Sequence, residues 1–168
     1  MTQPNQATAL RVRRASEIEA TGDPAGAGVD RYLVDSADSG GFVAVMEHVL
    51  VPRALAAPVH RHSREDEYSV VLEGRLGVWQ DGEELLAKPG DIVFKPRGHW
   101  HTFWNAGDGE LRVLEVIAPG GLEELFRRLA DPGGDYDPAT LPAQAAEYGC
   151  EVDFDRTMPL VERHGLAF

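Results

Sequence analysis

Two stretches of the chain decide its fold and its chemistry, and the first reads His60-Arg-His-Ser-Arg-Glu-Asp-Glu67. Residues two apart on a β-strand point to the same face, so His60 and His62 can direct two imidazole rings at one point. Four residues separate His62 from Glu67, which allows a bend into a following strand that returns a carboxylate to the pair. Imidazole and carboxylate groups suit a divalent metal. This stretch therefore predicts part of a metal site.

The second stretch is Gly90-Asp-Ile-Val-Phe-Lys-Pro-Arg-Gly-His-Trp-His-Thr-Phe-Trp-Asn105. Its Pro-Arg-Gly sequence predicts a rigid turn, after which His101, Phe103 and Asn105 share one face of a strand. His101 is therefore the third histidine candidate, from a different strand. Phe103 shares its face and is predicted to line a substrate pocket, for which the further candidates are Ser69, Val71 and Met46.

The surrounding sequence is a series of short β-type segments separated by Gly, Pro and Asp turn signals. Such close spacing is typical of an all-β sandwich or barrel. Asp81-Gly82 is predicted to form a tight hairpin turn. The predicted strands are Leu10–Arg14, Val29–Val34, Phe42–Val51, Val59–His62, Glu67–Leu72, Arg75–Gln80, Glu83–Ala87, Asp91–Lys95, His99–Asn105 and Glu110–Ile117.

The pattern changes to helical spacing after Pro119. Four apolar residues then recur at helical intervals and predict an amphipathic helix packed on the β-domain: Leu122, Leu125, Phe126 and Leu129. A short helix is expected at Leu141–Tyr148. Thr157 and Pro159 are expected as the N-cap and first residue of a last helix that ends before Gly165. We therefore expect a flexible N-terminal tail at residues 1–9, a β-barrel at 10–118 and a C-terminal helical extension at 119–168.

The first stretch resembles a motif of the cupin superfamily, Gly-x5-His-x-His-x3–4-Glu-x6-Gly. It is matched by His60, His62, Glu67 and Gly74, with Ala54 in place of the leading glycine. That departure affects a turn and not a ligand.

The second stretch resembles the second motif of the superfamily, Gly-x5-Pro-x-Gly-x2-His-x3-Asn. It is matched in full by Gly90, Pro96, Gly98, His101 and Asn105, so that nine of the ten specified positions agree. The resemblance implies an all-β cupin double-stranded β-helix, or jelly-roll barrel, with a short C-terminal helical extension. Within the superfamily the chain is similar to single-domain cupins of the quercetin dioxygenase kind.

Other residues compete for the ligand positions. Glu65 and Asp66 are rival carboxylates, but the count to Gly74 fits only Glu67. His99 lies two residues before His101 and is expected to belong to the turn. His48 and His164 fit no ligand spacing and are expected at a strand and at a helix end, respectively.

Three neutral imidazoles and one carboxylate leave a divalent ion with a net charge near +1 and, in an octahedral ion, two open positions for substrate or dioxygen. We expect one ion per chain, of Fe, Mn, Co, Ni or Zn, held by His60, His62, Glu67 and His101. The resemblance further implies that Glu67 acts as the general base towards a substrate hydroxyl. The first functional hypothesis is a dioxygenase-like enzyme acting on a small enolic or phenolic substrate. The alternatives are a non-catalytic binding or sensing cupin and a metal-dependent isomerase or lyase.

Composition limits the partners of the protein. The 168 residues include 16 Lys plus Arg and 28 Asp plus Glu, a formal net charge of −12 that disfavours nucleic acid and anionic membranes. The start of the chain carries no apolar signal, and Cys150 is the single cysteine, so a cytoplasmic location is expected. Cys150 is interpreted as a small apolar residue. A homodimer is expected because strand faces bearing Trp100 and Trp104 offer more apolar surface than one small domain readily hides.

Overall fold

Two antiparallel β-sheets face each other in the described part of the chain, residues 12–130 and 137–167 of a computed structural model. The strands are β1 Glu19–Asp23, β2 Gly28–Val34, β3 Ala44–Leu50, β4 Val59–His62, β5 Asp66–Glu73, β6 Leu76–Gln80, β7 Glu83–Ala87, β8 Ile92–Lys95, β9 His101–Asn105, β10 Leu111–Ala118 and β11 Cys150–Asp153. The helices are α1 Ser36–Ser39, α2 Glu123–Ala130, α3 Leu141–Glu147 and α4 Phe154–His164, and a 3-10 turn spans Ala15–Glu17.

The strand order shows how the chain closes into a jelly roll. One sheet has the order β1-β2-β3-β10-β5-β8, and the other has the order β11-β4-β9-β6-β7. From β3 onward each connection crosses between the sheets, except the hairpin that joins β6 to β7, as in a double-stranded β-helix. No helix within the described ranges is long and apolar enough to span a bilayer.

Nine of the ten predicted strands are confirmed, each to within two residues at either end. Leu10 and Arg11, in the predicted strand Leu10–Arg14, lie outside the described residues, and so does the predicted tail. Residues 12–14 have no regular structure. The predicted strand is therefore wrong over the residues that the structure describes. The Asp81-Gly82 turn is confirmed: both residues have positive φ, 48° and 99°, as a two-residue hairpin requires.

The last helix begins earlier than predicted. Asp153 is its N-cap, with a side chain that accepts a hydrogen bond from the Arg156 amide, and Pro159 lies inside the helix. The prediction of Thr157 as the cap is wrong because its hydroxyl has other partners. It donates to the Asp153 carbonyl at 2.6 Å and accepts from the Val59 amide at 2.8 Å. Thr157 thereby joins α4 to the start of β4.

The C-terminal segment covers two faces of the barrel. Leu122, directly before α2, and Leu125 of α2 pack with Ala145 of α3 over the barrel mouth. On the outer face of β9, Trp104 is only 2% exposed, packs with Leu166 and stacks on His164 with ring centroids 4.7 Å apart. The other outer-face tryptophan, Trp100, is half-buried between two arginine side chains. Trp104 is thus covered within one chain and supplies no surface to a partner.

Packing on the outer face of β9 also explains why position 77 is a glycine. A Cβ atom at Gly77, which pairs with Trp104 across β6 and β9, would lie 2.2 Å from the indole ring. Only a residue without a side chain lets the indole lie flat against the sheet. This contact fixes β9, the strand that carries His101.

Candidate metal centre

Four buried side chains from three strands converge at one end of the barrel interior: His60, His62, Glu67 and His101. His60 and His101 are opposite one another on β4 and β9. Glu67 lies on β5 in the facing sheet, so the cluster bridges the two sheets. One nitrogen or oxygen atom from each of the four residues lies within 4.8 Å of the others, which is a spacing that one ion can span.

Backbone hydrogen bonds orient two of the histidines. His60 Nδ1 lies 2.7 Å from the Pro58 carbonyl, and His101 Nδ1 lies 3.1 Å from the His99 carbonyl. A carbonyl only accepts, so each Nδ1 carries the proton and donates it. The Nε2 of His60 is therefore left with a lone pair that is available to a metal, and the Nε2 of His101 lies 3.2 Å from Glu67 Oε2 within the cluster.

His62 has no hydrogen-bond partner at either ring nitrogen, although it is only 2% exposed. Its Nε2 lies 3.5 Å from Glu67 Oε1, and its Nδ1 lies 3.9 Å from Glu65 Oε2. That Glu65 oxygen is also buried without a partner. Buried polar atoms without partners are rare and point to a missing ligand. The donor set therefore fits a divalent transition metal bound by three Nε2 atoms and one carboxylate oxygen.

Glu67 also contacts a buried lysine that sequence analysis did not single out. Lys95 Nζ lies 2.9 Å from Glu67 Oε2 and 3.2 Å from Glu115 Oε1, and its side chain is fully buried. Glu115 Oε2 in turn accepts a hydrogen bond of 2.7 Å from the Ser69 hydroxyl. The signal in the sequence was the alternation of β8 and β10, which places Lys95 and Glu115 among inward-facing residues.

Burial and neighbouring charges set the protonation of the cluster. Burial lowers the pKa of His62 to about 4, and burial together with the other two histidines lowers the pKa of His60 well below its usual value. Burial alone would raise the pKa of Glu67, but Lys95, His62 and His101 outweigh it and lower that pKa. His60 and His62 are therefore neutral and Glu67 is ionised at neutral pH, the states that bind metals.

The rival ligands have other partners. Asp66 pairs with Arg97 at 2.7 Å, and this arginine lowers the pKa of Asp66 to about 2. His99 is half-exposed in the turn and lies 2.6 Å from an Asp81 oxygen. Glu65 lies beside His62 and outside the four-residue cluster.

The two remaining histidines occupy the positions expected of them. His48 lies on β3, with Nδ1 2.7 Å from Asp30 Oδ1. His164 is the last residue of α4 and contacts Glu84 at 2.9 Å.

An apolar cavity of about 280 Å³ opens in front of the cluster, between the loop before β4 and the C-terminal segment. The polar side chains of its lining are those of His60 and His62. The other lining residues are aliphatic, aromatic or thiol: Ala27, Leu55, Ala56, Ala57, Pro58, Leu122, Leu125, Phe126, Leu129, Leu141, Ala145, Cys150 and Val152. A ligand in this cavity would meet an apolar wall everywhere except at the metal cluster.

The four residues predicted for a pocket lie elsewhere in the barrel. Phe103 and Val71 are buried in the lower barrel core, and Met46 packs in the cluster beneath α2. Ser69 binds Glu115. None of the four lines the 280 Å³ cavity, because α2 and α3 place that cavity beside β4 and β11 instead.

Comparisons with known proteins agree with this geometry. Residues 46–117 match the family described as the cupin domain. Quercetin 2,3-dioxygenase of Bacillus subtilis is 29% identical over 103 residues, which are 61% of this chain and 28% of that protein. The tetracenomycin polyketide synthase protein TcmJ of Streptomyces glaucescens is 28% identical over 92 residues, 55% of this chain and 62% of that protein. The chain thus spans less than two thirds of the length of either relative.

A solved structure shows the same architecture. The polyketide cyclase RemF of Streptomyces resistomycificus matches with a TM-score of 0.54 and 25% identity, over 66% of this chain and 80% of that chain. The double-stranded β-helix, both sequence motifs and the matched family lead to one conclusion: this chain contains a cupin domain, matched over residues 46–117.

Proposed function

We propose that the protein is a metal-dependent cupin enzyme of the dioxygenase type that acts on a small enolic or phenolic substrate. The observation that carries this proposal is the apolar cavity, whose polar side chains belong to two of the candidate metal ligands. Such a cavity suits a substrate with an apolar body and one oxygen-bearing edge directed at the metal.

The charge of the cavity disfavours other substrates of cupins. Its lining contains no lysine or arginine among the described residues, so a sugar phosphate or a dicarboxylate would find no counter-charge on the side chains of the cavity wall. Sugar hydroxyls would likewise lack hydrogen-bond partners along the aliphatic wall. Burying unpaired polar groups costs a few kcal/mol for each group, about 1–3 in mutational data.

The residues of the chain divide the task. The ion would be held by His60, His62, His101 and Glu67. When bound, it supplies Lewis acidity and, for a redox-active metal, electron transfer. The apolar wall binds the substrate body and excludes water. Glu67 is the candidate base for a proton from the substrate hydroxyl, since its Oε1 lies 3.5 Å from Nε2 of His62, which lines the cavity.

The experiment measures oxygen consumption by protein loaded separately with Fe, Mn, Co, Ni and Zn, against a panel of flavonols and β-diketones. Sugar phosphates serve as the negative set. Cys150→Phe should fill the cavity and raise KM for the accepted substrate, while the matched variant Met158→Phe, at an exposed position of α4, should not. Oxygen consumption on none of the compounds, with any metal, would refute the dioxygenase proposal.

A second candidate is a reaction of the cyclase, isomerase or lyase type on a similar substrate. It is supported by the similarity to RemF and TcmJ together with the same apolar cavity, which suits aromatic enols without requiring oxygen. Substrate turnover under anaerobic conditions with no oxygen uptake would favour this candidate. Tight binding of a panel compound with no turnover would favour a non-catalytic binding cupin.

A further inference from the structure

The barrel interior contains a buried lysine that neither sequence motif specifies. Lys95 is the last residue of β8 and lies directly opposite Glu67 of β5. Its side chain has no exposed surface. Lysine is almost never fully buried unless it is paired, because removing its charge from water is costly. Its position beside a candidate metal ligand therefore calls for a role.

Three groups other than Glu67 fix the position of the Lys95 amine. Glu115 Oε1 lies 3.2 Å from Nζ, and Ser69 holds the other Glu115 oxygen at 2.7 Å. The Phe103 ring lies beneath the amine, with its centroid 4.5 Å from Nζ, in a cation–π arrangement. The amine is thus anchored from the side of the barrel away from the histidines.

This anchored amine forms an ion pair with one oxygen of Glu67. Lys95 Nζ lies 2.9 Å from Oε2, which is also 3.2 Å from His101 Nε2, and Oε1 faces His62 Nε2 at 3.5 Å. A carboxylate that has one oxygen in an ion pair can offer the other oxygen to a metal. We propose that Lys95, held by Glu115, is a positioning residue that fixes the Glu67 carboxylate so that it binds the metal through one oxygen.

This inference rests on the proposed metal site and extends it, because it assigns the binding mode of one ligand to residues outside the cluster. Residues that orient metal ligands typically change affinity by about 10–100-fold when they are removed. A purely structural ion pair would instead change stability and leave the bound metal unaltered.

The test uses Co(II) as the probe, because its visible d–d absorption reports coordination number and geometry. Metal-free wild-type protein is titrated with Co(II) against a competing chelator, which gives the Kd and the spectrum. Lys95→Met removes the amine but leaves Glu115 buried and unpaired, and it can fail to fold. The double variant Lys95→Met with Glu115→Gln removes both charges and keeps an acceptor for Ser69.

The matched control is Glu47→Gln. Glu47 is a carboxylate of β3 that is 3% exposed and pairs with Arg31 and Arg112 at 2.5 Å, on the outer face of the sheet. Its removal breaks a buried ion pair of similar kind without touching the metal cluster. Thermal unfolding of each variant measures the stability change separately from the metal readout.

The expected result is a Kd for Co(II) that is about 10–100-fold higher in the double variant, with shifted d–d bands, while Glu47→Gln keeps the wild-type Kd and spectrum. A double variant with the wild-type Kd and spectrum would overturn the positioning role. If the wild-type protein itself binds no Co(II), the proposed metal site fails, a result distinct from failure of the Lys95 assignment.

Discussion

Cys150 of β11 lies directly opposite His62 of β4, and both side chains line the cavity. Residues opposite one another in an antiparallel pair face the same side of the sheet, so β11 forms a wall beside the candidate ligands. Burial, together with the charges of Glu67 and Glu65, raises the pKa of the Cys150 thiol to about 12. The thiol therefore stays protonated at neutral pH and serves as an apolar surface, as the sequence analysis interpreted it.

The first prediction concerns metal retention. Purified wild-type protein should carry about one divalent transition metal ion per chain, and His62→Ala should lose most of it, because this buried imidazole has no protein partner at either nitrogen. Elemental analysis measures the metal-to-protein ratio. His164→Ala, which removes an imidazole at the end of α4, is the control and should keep full occupancy. Full occupancy in His62→Ala would show the ligand assignment to be wrong.

The second prediction separates the two roles assigned to Glu67. Glu67→Gln keeps the size and one coordinating oxygen but removes the charge and the ability to accept a proton. If Glu67 is the base, turnover per bound metal should fall by roughly 100-fold or more, a larger loss than the loss of metal. The measurement is turnover on the substrate found in the oxygen assay, normalised to metal content. Activity that falls only in proportion to the metal would leave Glu67 as a ligand alone.

The third prediction concerns Glu65, whose unpartnered Oε2 lies 3.9 Å from His62 Nδ1. A metal on Nε2 fixes the proton on Nδ1, and a nearby carboxylate is the usual acceptor for that proton. Glu65→Ala should therefore weaken metal binding by about 10-fold. Competition with a chelator measures the change, and Asp66→Ala, a neighbouring residue paired with Arg97, is the control. Equal affinities of the two variants would exclude a role for Glu65 in binding.

The ligand cluster could be predicted from the sequence because strand periodicity pairs two histidines and the resemblance to the cupin motif, through the count to Gly74, selects Glu67 over Glu65. His60 and His62 share a face of one strand, and the turn before His101 sets the start of another. Nine strands were predicted for the same reason, since their inward and outward residues alternate. β1 was missed because it is a polar edge strand without alternation, and β11 because its sequence, Cys-Glu-Val-Asp, lies between two segments with helical signals.

The cavity and the interior ion pairs could not be predicted because they depend on tertiary packing. Inward strand faces are indeed shared with candidate ligands by Ser69, Val71 and Phe103. The opening to the cluster, however, is determined by the positions at which α2 and α3 pack against the barrel. Strand parity shows that Lys95 faces inward. It does not show that Glu115, 20 residues along the chain, supplies its counter-charge.

The fourth prediction is that metal-free protein loses stability in mild acid. His62 has a pKa of about 4 in the folded state because of burial, against a usual value of 6.5. Between these values the unfolded state binds more protons, so the free energy of unfolding falls as the pH falls, by up to about 1.4 kcal/mol per pH unit. The pKa of His60 is lowered in the same direction.

His48 changes the pH dependence of stability in the opposite direction. Asp30 outweighs the effect of burial and raises the pKa of His48. The contribution of His48 to the free energy of unfolding is therefore present below pH 6.5 and is lost as the pH rises through the raised pKa. Urea unfolding at neutral pH and near pH 5 measures the net change. His62→Gln should flatten the dependence because glutamine does not titrate. An unchanged slope in this variant would show that His62 is not buried in its neutral form.

The last prediction is that the protein forms a homodimer. With Trp104 covered by the C-terminal segment, we expect a second copy to bind an exposed apolar surface on the outer face of β5 and β8. There Tyr68 stacks on Phe94 with centroids 4.9 Å apart, and Ile92 is 66% exposed. β8 is also the edge of its sheet, so its free backbone groups can pair with those of the same strand in a second copy.

Light scattering tests this arrangement at micromolar concentration. The wild-type protein should have about twice the chain mass of 18.3 kDa. Phe94→Glu should reduce the mass to that of one chain. In a two-fold dimer the two introduced carboxylates would lie close together, so they would repel each other and would also lose their contact with water. Phe42→Glu, at an 81% exposed position outside this face, controls for the added charge and should leave the dimer intact. A wild-type mass near 18.3 kDa would mean a monomer, and a dimer unaffected by Phe94→Glu would place the interface on another surface.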